Sequence, residues 1–342
     1  MKIFAFNFGT FNTSVSIMLA EAGHDVTALI QPFSRAQRDL HFNLKYGVQK
    51  CNYLYLKDAE LPENIRFTDV FRPAEKTDAM ILAVPTKFLE KAYFEIEPYI
   101  TRHPKCTLIL LSKGFVGDSG MSWGLKIKNS LVFCGRRNFA VLSGYTPAKE
   151  LALANLTKKY FAASAASRDI NAIKKVRALF RGTHLGIVGT TDIRGVSIGG
   201  ALKNAYAVGY GILLGLNENG LAWKYLELAH NEMKVFLDEI GASPKTWSSP
   251  AVKGDFYGTC HGELGWESRN VAFGKFLAKY PSVFEAMKYV SENTVEGYEA
   301  LKTLHQIAHK NKLRAPILYA IHRICFYSAS PSLILDLFIQ PS

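Results

Sequence analysis

Short, unbroken apolar runs mark the first half of the chain, and apolar stripes at helical spacing mark the second. Residues 2–8, KIFAFNF, read as a buried first strand. Gly9-Thr10-Phe11-Asn12 follow as a turn, and residues 13–22 then put Val15, Met18, Leu19 and Ala22 on one helical face, with Gly23 as the stop. Residues 24–30, HDVTALI, read as a second strand, so strand, turn, helix and strand follow one another as in a dinucleotide-binding fold. Further strand-like runs fall at 78–85, 107–114, 139–144, 158–166 and 184–190. Residues 42–64 show no clear periodicity and read as a connecting excursion. From Val196 the strands stop, and helices are expected at 196–216, 220–241, 268–279, 282–290, 294–310 and 316–327. In the second of these, Leu221, Tyr225, Leu228, Ala229, Met233, Phe236, Leu237 and Ile240 form a core-facing stripe. The pattern predicts an α/β chain: an N-terminal Rossmann-like doubly wound sheet over 1–193, then an all-helical domain over 194–342.

Composition narrows the class. The 342 residues are 48% hydrophobic and 20% charged, a globular balance with enough core material for two domains. No run approaches the ~20 apolar residues of a membrane span, the first residues do not read as a signal peptide, and a soluble cytoplasmic protein is expected. The five cysteines are scattered without metal-ligand spacing, which favours reduced structural thiols. The net charge of +12 is dispersed, with pairs such as Arg136-Arg137 and no long basic run. With no aromatic–basic interleaving, that favours a basic surface or anionic small ligands over nucleic acid.

Candidate chemistry concentrates at a few places. The G-x-G-x-x-G positions of the first turn hold Asn7, Gly9 and Asn12, so only the glycine that lets backbone approach a pyrophosphate remains. Asn7 tolerates positive φ. After the second strand no carboxylate stands ready for a ribose hydroxyl, and Ser34 and Arg35 suit a 2′-phosphate, which leans toward NADP over NAD. Lys113 and Ser143-Gly144 stand at strand ends, where ligands bind in such sheets. In Gly-Gly-Ala-Leu-Lys-Asn, 199–204, Lys203 and Asn204 project from one helix. A polar, glycine-rich loop is expected from Lys253 to Gly262, with Asp255, Thr259, Cys260 and His261 on it. Nothing marks a third group to orient a Cys260–His261 nucleophile. Ser268-Arg269-Asn270 opens a helix in the manner of an anion site. No metal site is expected.

These residues carry a resemblance. GGALKN (199–204), LLSKG (110–114), KGDFYGTC (253–260), SRN (268–270) and VEG (295–297) occur in the order and approximate spacing of the NAD(P)-dependent sn-glycerol-3-phosphate dehydrogenases. LPENI (61–65), ILAVP (81–85) and LSG (142–144) fit as well, and Glu296 favours the bacterial type. The resemblance implies a 6-phosphogluconate dehydrogenase-like fold. It also implies reversible hydride transfer between NAD or NADP and C2 of dihydroxyacetone phosphate or sn-glycerol 3-phosphate, feeding glycerophospholipid synthesis. By motif, Lys203 is the general acid/base, and Lys113 and Asp255 complete the polar centre. Asn204, Gly144, Thr146, Thr259, Ser268, Arg269 and Asn270 line the substrate site. Asn7, Gly9, Thr10, Phe11, Asn12, Lys113, Ala148, Arg269 and Glu296 touch the dinucleotide. A homodimer is compatible with the family.

The chain also departs from the family. The fingerprint GAGSWGTA stands here as Asn7 to Ser14, so Phe8 and Asn12 are expected to add bulk beside the pyrophosphate path. Tyr145 and Pro147 are exchanged in the strand-end motif, and Ser197 replaces a glutamate. Two alternatives stay open on the residues alone: a catalytically weakened relative that binds a metabolite and regulates, and a dehydrogenase for another phosphorylated or carboxylated ketone.

Overall fold

A computed structural model describes residues 1–31, 34–117, 119–261 and 268–339. Pro32, Phe33 and Gly262, which fall in segments singled out above, lie outside the described residues. The chain divides into two compact units, one of Met1–Ser112 and Gly124–Ile193, the other of Lys113–Trp123 and the chain from Arg194 on.

Among the described residues, the first unit is built on ten strands: β1 (Lys2–Phe6), β2 (Asp25–Leu29), β3 (Cys51–Asn52), β4 (Leu56–Glu60), β5 (Ile65–Thr68), β6 (Ala79–Leu82), β7 (Thr107–Leu110), β8 (Phe139–Tyr145), β9 (Phe161–Ala166) and β10 (Leu185–Thr190). Eight of them form one sheet in the order β10-β9-β8-β7-β6-β1-β2-β5. Pairing is parallel except between β8 and β9. The central strands β6 and β7 are buried at every position. That is why they read as continuous apolar runs and not as alternating ones. β1 lies between β2 and β6, so the strand order reverses at its carboxyl end. In open α/β sheets that switch point is where ligands bind, and the turn Asn7–Asn12 leaves β1 there. The helix that follows, Thr10–Glu21, ends where Gly23 takes φ +82°.

Residues 42–64 are not the featureless excursion expected. They contain the end of a helix, Arg35–Lys45, and an antiparallel pair, β3 with β4. The helix is polar on most faces, with Leu40, His41 and Leu44 buried. β3 has two residues, so its periodicity is too short to register.

The second unit is helical. Its centre is the helix Ile193–Gly215, whose residues belong to this unit from Arg194. Ile198, Leu202, Ala205, Tyr206, Val208, Ile212 and Leu213 are all buried, so this helix lies inside the unit, with Lys203 and Asn204 as buried polar positions along it. Helices Ala222–Glu239, Arg269–Lys279, Val283–Glu292, Glu296–Lys310 and Pro316–Tyr327 contribute most of the remaining core. A Cβ on Gly211 would sit 2.1 Å from the Val271 carbonyl, and one on Gly274 would sit 2.1 Å from that of Val208. These two glycines let the central helix and Arg269–Lys279 touch backbone to backbone, which fixes Asn270 beside Asn204.

The expected loop from Lys253 is helical as far as His261. Pro250–Gly254 is a short π-helix, and Asp255–His261 continues it as α-helix. Gly254 and Gly258 suggested a loop, but tertiary packing overrides propensity here: Ala251, Val252 and Phe256 are fully buried. The consequence is a rigid mount for Asp255 and Thr259, which lie one turn apart. Among the described residues no helix is long and apolar enough to cross a membrane.

Candidate active site

In the second unit, four of the residues singled out above converge. The Lys203 ammonium lies 3.0 Å from Asp255 Oδ1 and donates to Thr259 Oγ1 at 2.9 Å. The other Asp255 oxygen, Oδ2, accepts from the Lys113 ammonium. Lys113 is brought in by the segment Lys113–Trp123, in which Phe115 is buried in the second unit's core. Asp255 is 2% exposed, so its charge is fully desolvated and needs both cations. Lys203 is buried as well. Burial pulls the pKa of its ammonium below the ordinary lysine value, the negative charge of Asp255 opposes that shift, and the positive charge of Lys113 adds to it. The result is a lysine tuned toward giving up its proton while held at a fixed point.

A second network adjoins through Asn204, the next residue along the helix. Asn204 Nδ2 donates to Glu296 Oε2 at 3.0 Å, Asn270 Nδ2 donates to Asn204 Oδ1 at 2.9 Å, and Gly297 N–H donates to Asn270 Oδ1 at 2.9 Å. The chain of bonds closes on itself, since Glu296 and Gly297 are neighbours. Three helices are tied by it: Ile193–Gly215, Arg269–Lys279 and Glu296–Lys310. Gly297 is glycine because a Cβ there would lie 2.4 Å from the Asn204 carbonyl oxygen. Beside Asn270, Ser268 takes the N-cap position without a side-chain capping bond, and Arg269 is exposed in the first turn. The start of that helix therefore presents backbone N–H groups together with a guanidinium.

Cys260 and His261 do not form a nucleophilic pair. Burial pushes the Cys260 thiol up, away from the reactive thiolate, and the His261 ring stacks on Trp223 with centroids 4.2 Å apart.

In the first unit, Asn7, Gly9, Thr10, Phe11 and Asn12 form the turn after β1. Asn7 adopts φ +67°, the left-handed conformation that a glycine ordinarily supplies. Gly9 is the N-cap of the helix Thr10–Glu21, has no side-chain capping bond, and faces open space where a Cβ would stand. The expectation that Phe8 and Asn12 crowd this turn is wrong. Phe8 is 1% exposed and packs edge-on against Phe67 in the sheet's core. Asn12 is fully buried, and its Nδ2 donates to the carbonyls of Phe6 at 2.9 Å and Asn7 at 2.6 Å.

Asn52, which no motif or spacing singles out, joins them. Its Nδ2 donates to the Phe8 carbonyl at 2.9 Å and to Thr13 Oγ1 at 2.7 Å. Both amides leave their Oδ1 atoms buried without a hydrogen bond among the described residues. Such an atom costs about 1–3 kcal/mol.

Gly144, Thr146 and Ala148 also belong to the first unit. Gly144 is buried in the β8–β9 pairing, where a Cβ would lie 2.4 Å from the Ala162 carbonyl. Thr146 donates to the Gly144 carbonyl at 3.3 Å, and Ala148 begins the short helix Ala148–Ala152. Ser34 caps the helix Arg35–Lys45 by accepting from Gln37 N–H, and Arg35 and Arg38 are exposed on its first turn, which holds no acidic residue.

Comparison with known proteins agrees with this arrangement. Residues 2–169 match the family model described as NAD-dependent glycerol-3-phosphate dehydrogenase N-terminus, and residues 192–336 match the one described as its C-terminus. A glycerol-3-phosphate dehydrogenase [NAD(P)+] of Staphylococcus epidermidis is 28% identical over 328 residues, covering 95% of this chain and 93% of that one. Its counterpart from Francisella tularensis subsp. novicida is 29% identical over 334 residues, covering 96% and 94%. In fold, the chain is similar to the glycerol-3-phosphate dehydrogenase structure from Coxiella burnetii, with TM-score 0.80 at 22% identity over 99% of both chains.

The residues present fit a nicotinamide dinucleotide. The turn after β1 has open space at Gly9, an uncapped helix N-terminus and its carbonyls bonded inward, all of which suit a pyrophosphate. The chain belongs to the NAD-dependent glycerol-3-phosphate dehydrogenase family.

Proposed function

We propose that this chain reduces dihydroxyacetone phosphate to sn-glycerol 3-phosphate, reversibly, with Lys203 as the acid/base. The observation that carries this reading is the buried Lys203 ammonium, held by Asp255 and Thr259 with Lys113 on the same carboxylate. The cofactor, when bound, supplies the hydride to C2.

This chain's own residues supply the rest. As charge builds on the ketone oxygen, a proton passes to it from Lys203 Nζ, leaving a neutral amine and an alcohol. Asp255 fixes Nζ in place and keeps enough positive charge on it for a proton to be available near neutrality. Lys113 limits that stabilisation, so the proton is not held too tightly. Thr259 accepts from Nζ and restricts its rotation. In the oxidative direction the neutral amine takes the proton back. Arg269 and the first turn of its helix hold the substrate phosphate, and remote binding energy of this kind orients the carbonyl.

In the first unit, Gly9, Thr10 and Phe11 hold the pyrophosphate with backbone N–H groups. Arg35 and Arg38, on a first turn without carboxylates, favour a 2′-phosphate and hence NADPH over NADH.

The test is to mix the protein with dihydroxyacetone phosphate and either NADPH or NADH, and to follow loss of the reduced nicotinamide's absorbance. Turnover with a lower KM for NADPH is expected. No turnover with either cofactor, together with no dinucleotide binding by calorimetry, overturns the reading.

A further inference from the structure

Two buried asparagines do at the nucleotide turn what its missing glycines do not. The backbone carbonyls of four consecutive residues, Phe6, Asn7, Phe8 and Gly9, all accept hydrogen bonds from side chains within the first unit. Asn12 Nδ2 takes Phe6 and Asn7, Asn52 Nδ2 takes Phe8, and Thr13 Oγ1 takes Gly9 at 2.9 Å. Asn52 also donates to Thr13 Oγ1, which links the two amides into one cluster. Both asparagines are 0% exposed. Their orientation is not arbitrary, because only the NH₂ end of an amide can meet a carbonyl oxygen.

A turn whose carbonyls all point inward must present its remaining polar groups, the N–H groups, outward. The first N–H groups of the helix Thr10–Glu21 have no intrahelical partner and no side-chain cap. Asn52 comes from the β3–β4 pair, 44 residues from Phe8 in the chain, so this pair acts as a strap on the turn.

We infer that Asn12 and Asn52 are positioning residues for the dinucleotide, a buried amide clamp that presets the turn for a pyrophosphate in place of the family's glycine fingerprint. The inference rests on the reading above, that the first unit binds NAD(P). It makes Asn12 the opposite of a defect. Replacing it with the glycine that the fingerprint calls for removes the donor to two carbonyls and releases the turn.

The test compares full-length wild type with Asn12→Gly and Asn52→Leu. NADPH binding is measured by fluorescence titration and calorimetry well below each variant's melting temperature, which is recorded separately. The dissociation constant is expected to rise about tenfold in each variant, the effect of losing an orienting hydrogen bond. KM for the dinucleotide should rise with it, and kcat at saturating cofactor should change little. Wild type that binds while Asn12→Gly binds as tightly or more tightly overturns the clamp and leaves the functional reading standing. Variants that lose only melting temperature, with unchanged binding, also overturn it, since that is a structural role alone. Wild type that binds neither NADPH nor NADH overturns the functional reading and the clamp together.

Discussion

Asp255 Oδ1 lies 3.0 Å from the Lys203 ammonium, and its second oxygen is taken by Lys113. One carboxylate therefore serves two cations in a place where almost no solvent reaches it. Asp255→Asn keeps the shape and removes the charge. The two ammonium groups then lose the carboxylate they share, and breaking a buried ion pair costs about 3 kcal/mol. A lower melting temperature is expected, together with a large loss of turnover. Calorimetric melting and steady-state kinetics on the same preparation check both.

The pH profile follows from the direction of the Lys203 shift. Burial is its largest cause and lowers the pKa from 10.5. Reduction of the ketone needs the protonated form, so kcat/KM for reduction should fall as pH rises through this lowered pKa. Oxidation needs the neutral amine and should rise over the same window. Lys113→Met removes a neighbouring positive charge and should move the inflection upward, toward that of an ordinary lysine. An inflection that stays in place in Lys113→Met contradicts the electrostatic coupling.

Gly297→Ala tests the amide relay. The added Cβ would lie 2.4 Å from the Asn204 carbonyl oxygen and 2.9 Å from Asn270 Oδ1. Either the helix Glu296–Lys310 withdraws or the relay breaks. Overpacking of this kind costs about 1–3 kcal/mol, read as a drop in melting temperature. Because Asn204 follows Lys203 directly, kcat should fall as well.

Arg35→Ala tests cofactor choice. Losing a charge-assisted bond to a 2′-phosphate should raise KM for NADPH by about tenfold and leave KM for NADH nearly unchanged. Equal effects on both cofactors would place Arg35 outside the discrimination.

The sheet and the late helices were legible because their patterns are pure. β6 and β7 are buried at every residue, and Ala222–Glu239 carries a full apolar stripe. The hairpin at 51–60 was not legible, since β3 is two residues long and β4 is largely exposed. The segment Lys253–His261 reads as a loop because its glycines signal one and nothing local reveals that Val252 and Phe256 are buried. At the centre, the motif residues Lys203, Asp255 and Lys113 could be named from the sequence, but their sharing of one carboxylate could not.

Asn12 shows the sharper limit. Judged against a fingerprint it is a misplaced side chain, yet its amide bonds two carbonyls five and six residues back. Its companion Asn52 lies 39 residues from Thr13, and no spacing rule connects them.

Proton delivery from Lys203 to the ketone is the step on which the proposed reaction turns. Its most direct measurement is the turnover of Lys203→Ala with dihydroxyacetone phosphate and NADPH, alongside NADPH binding by the same protein. A fall in kcat of roughly 100- to 10,000-fold, the usual worth of a general acid, is expected, with dinucleotide binding close to that of wild type. Turnover within about twofold of wild type, well below even the smallest such effect, would contradict it.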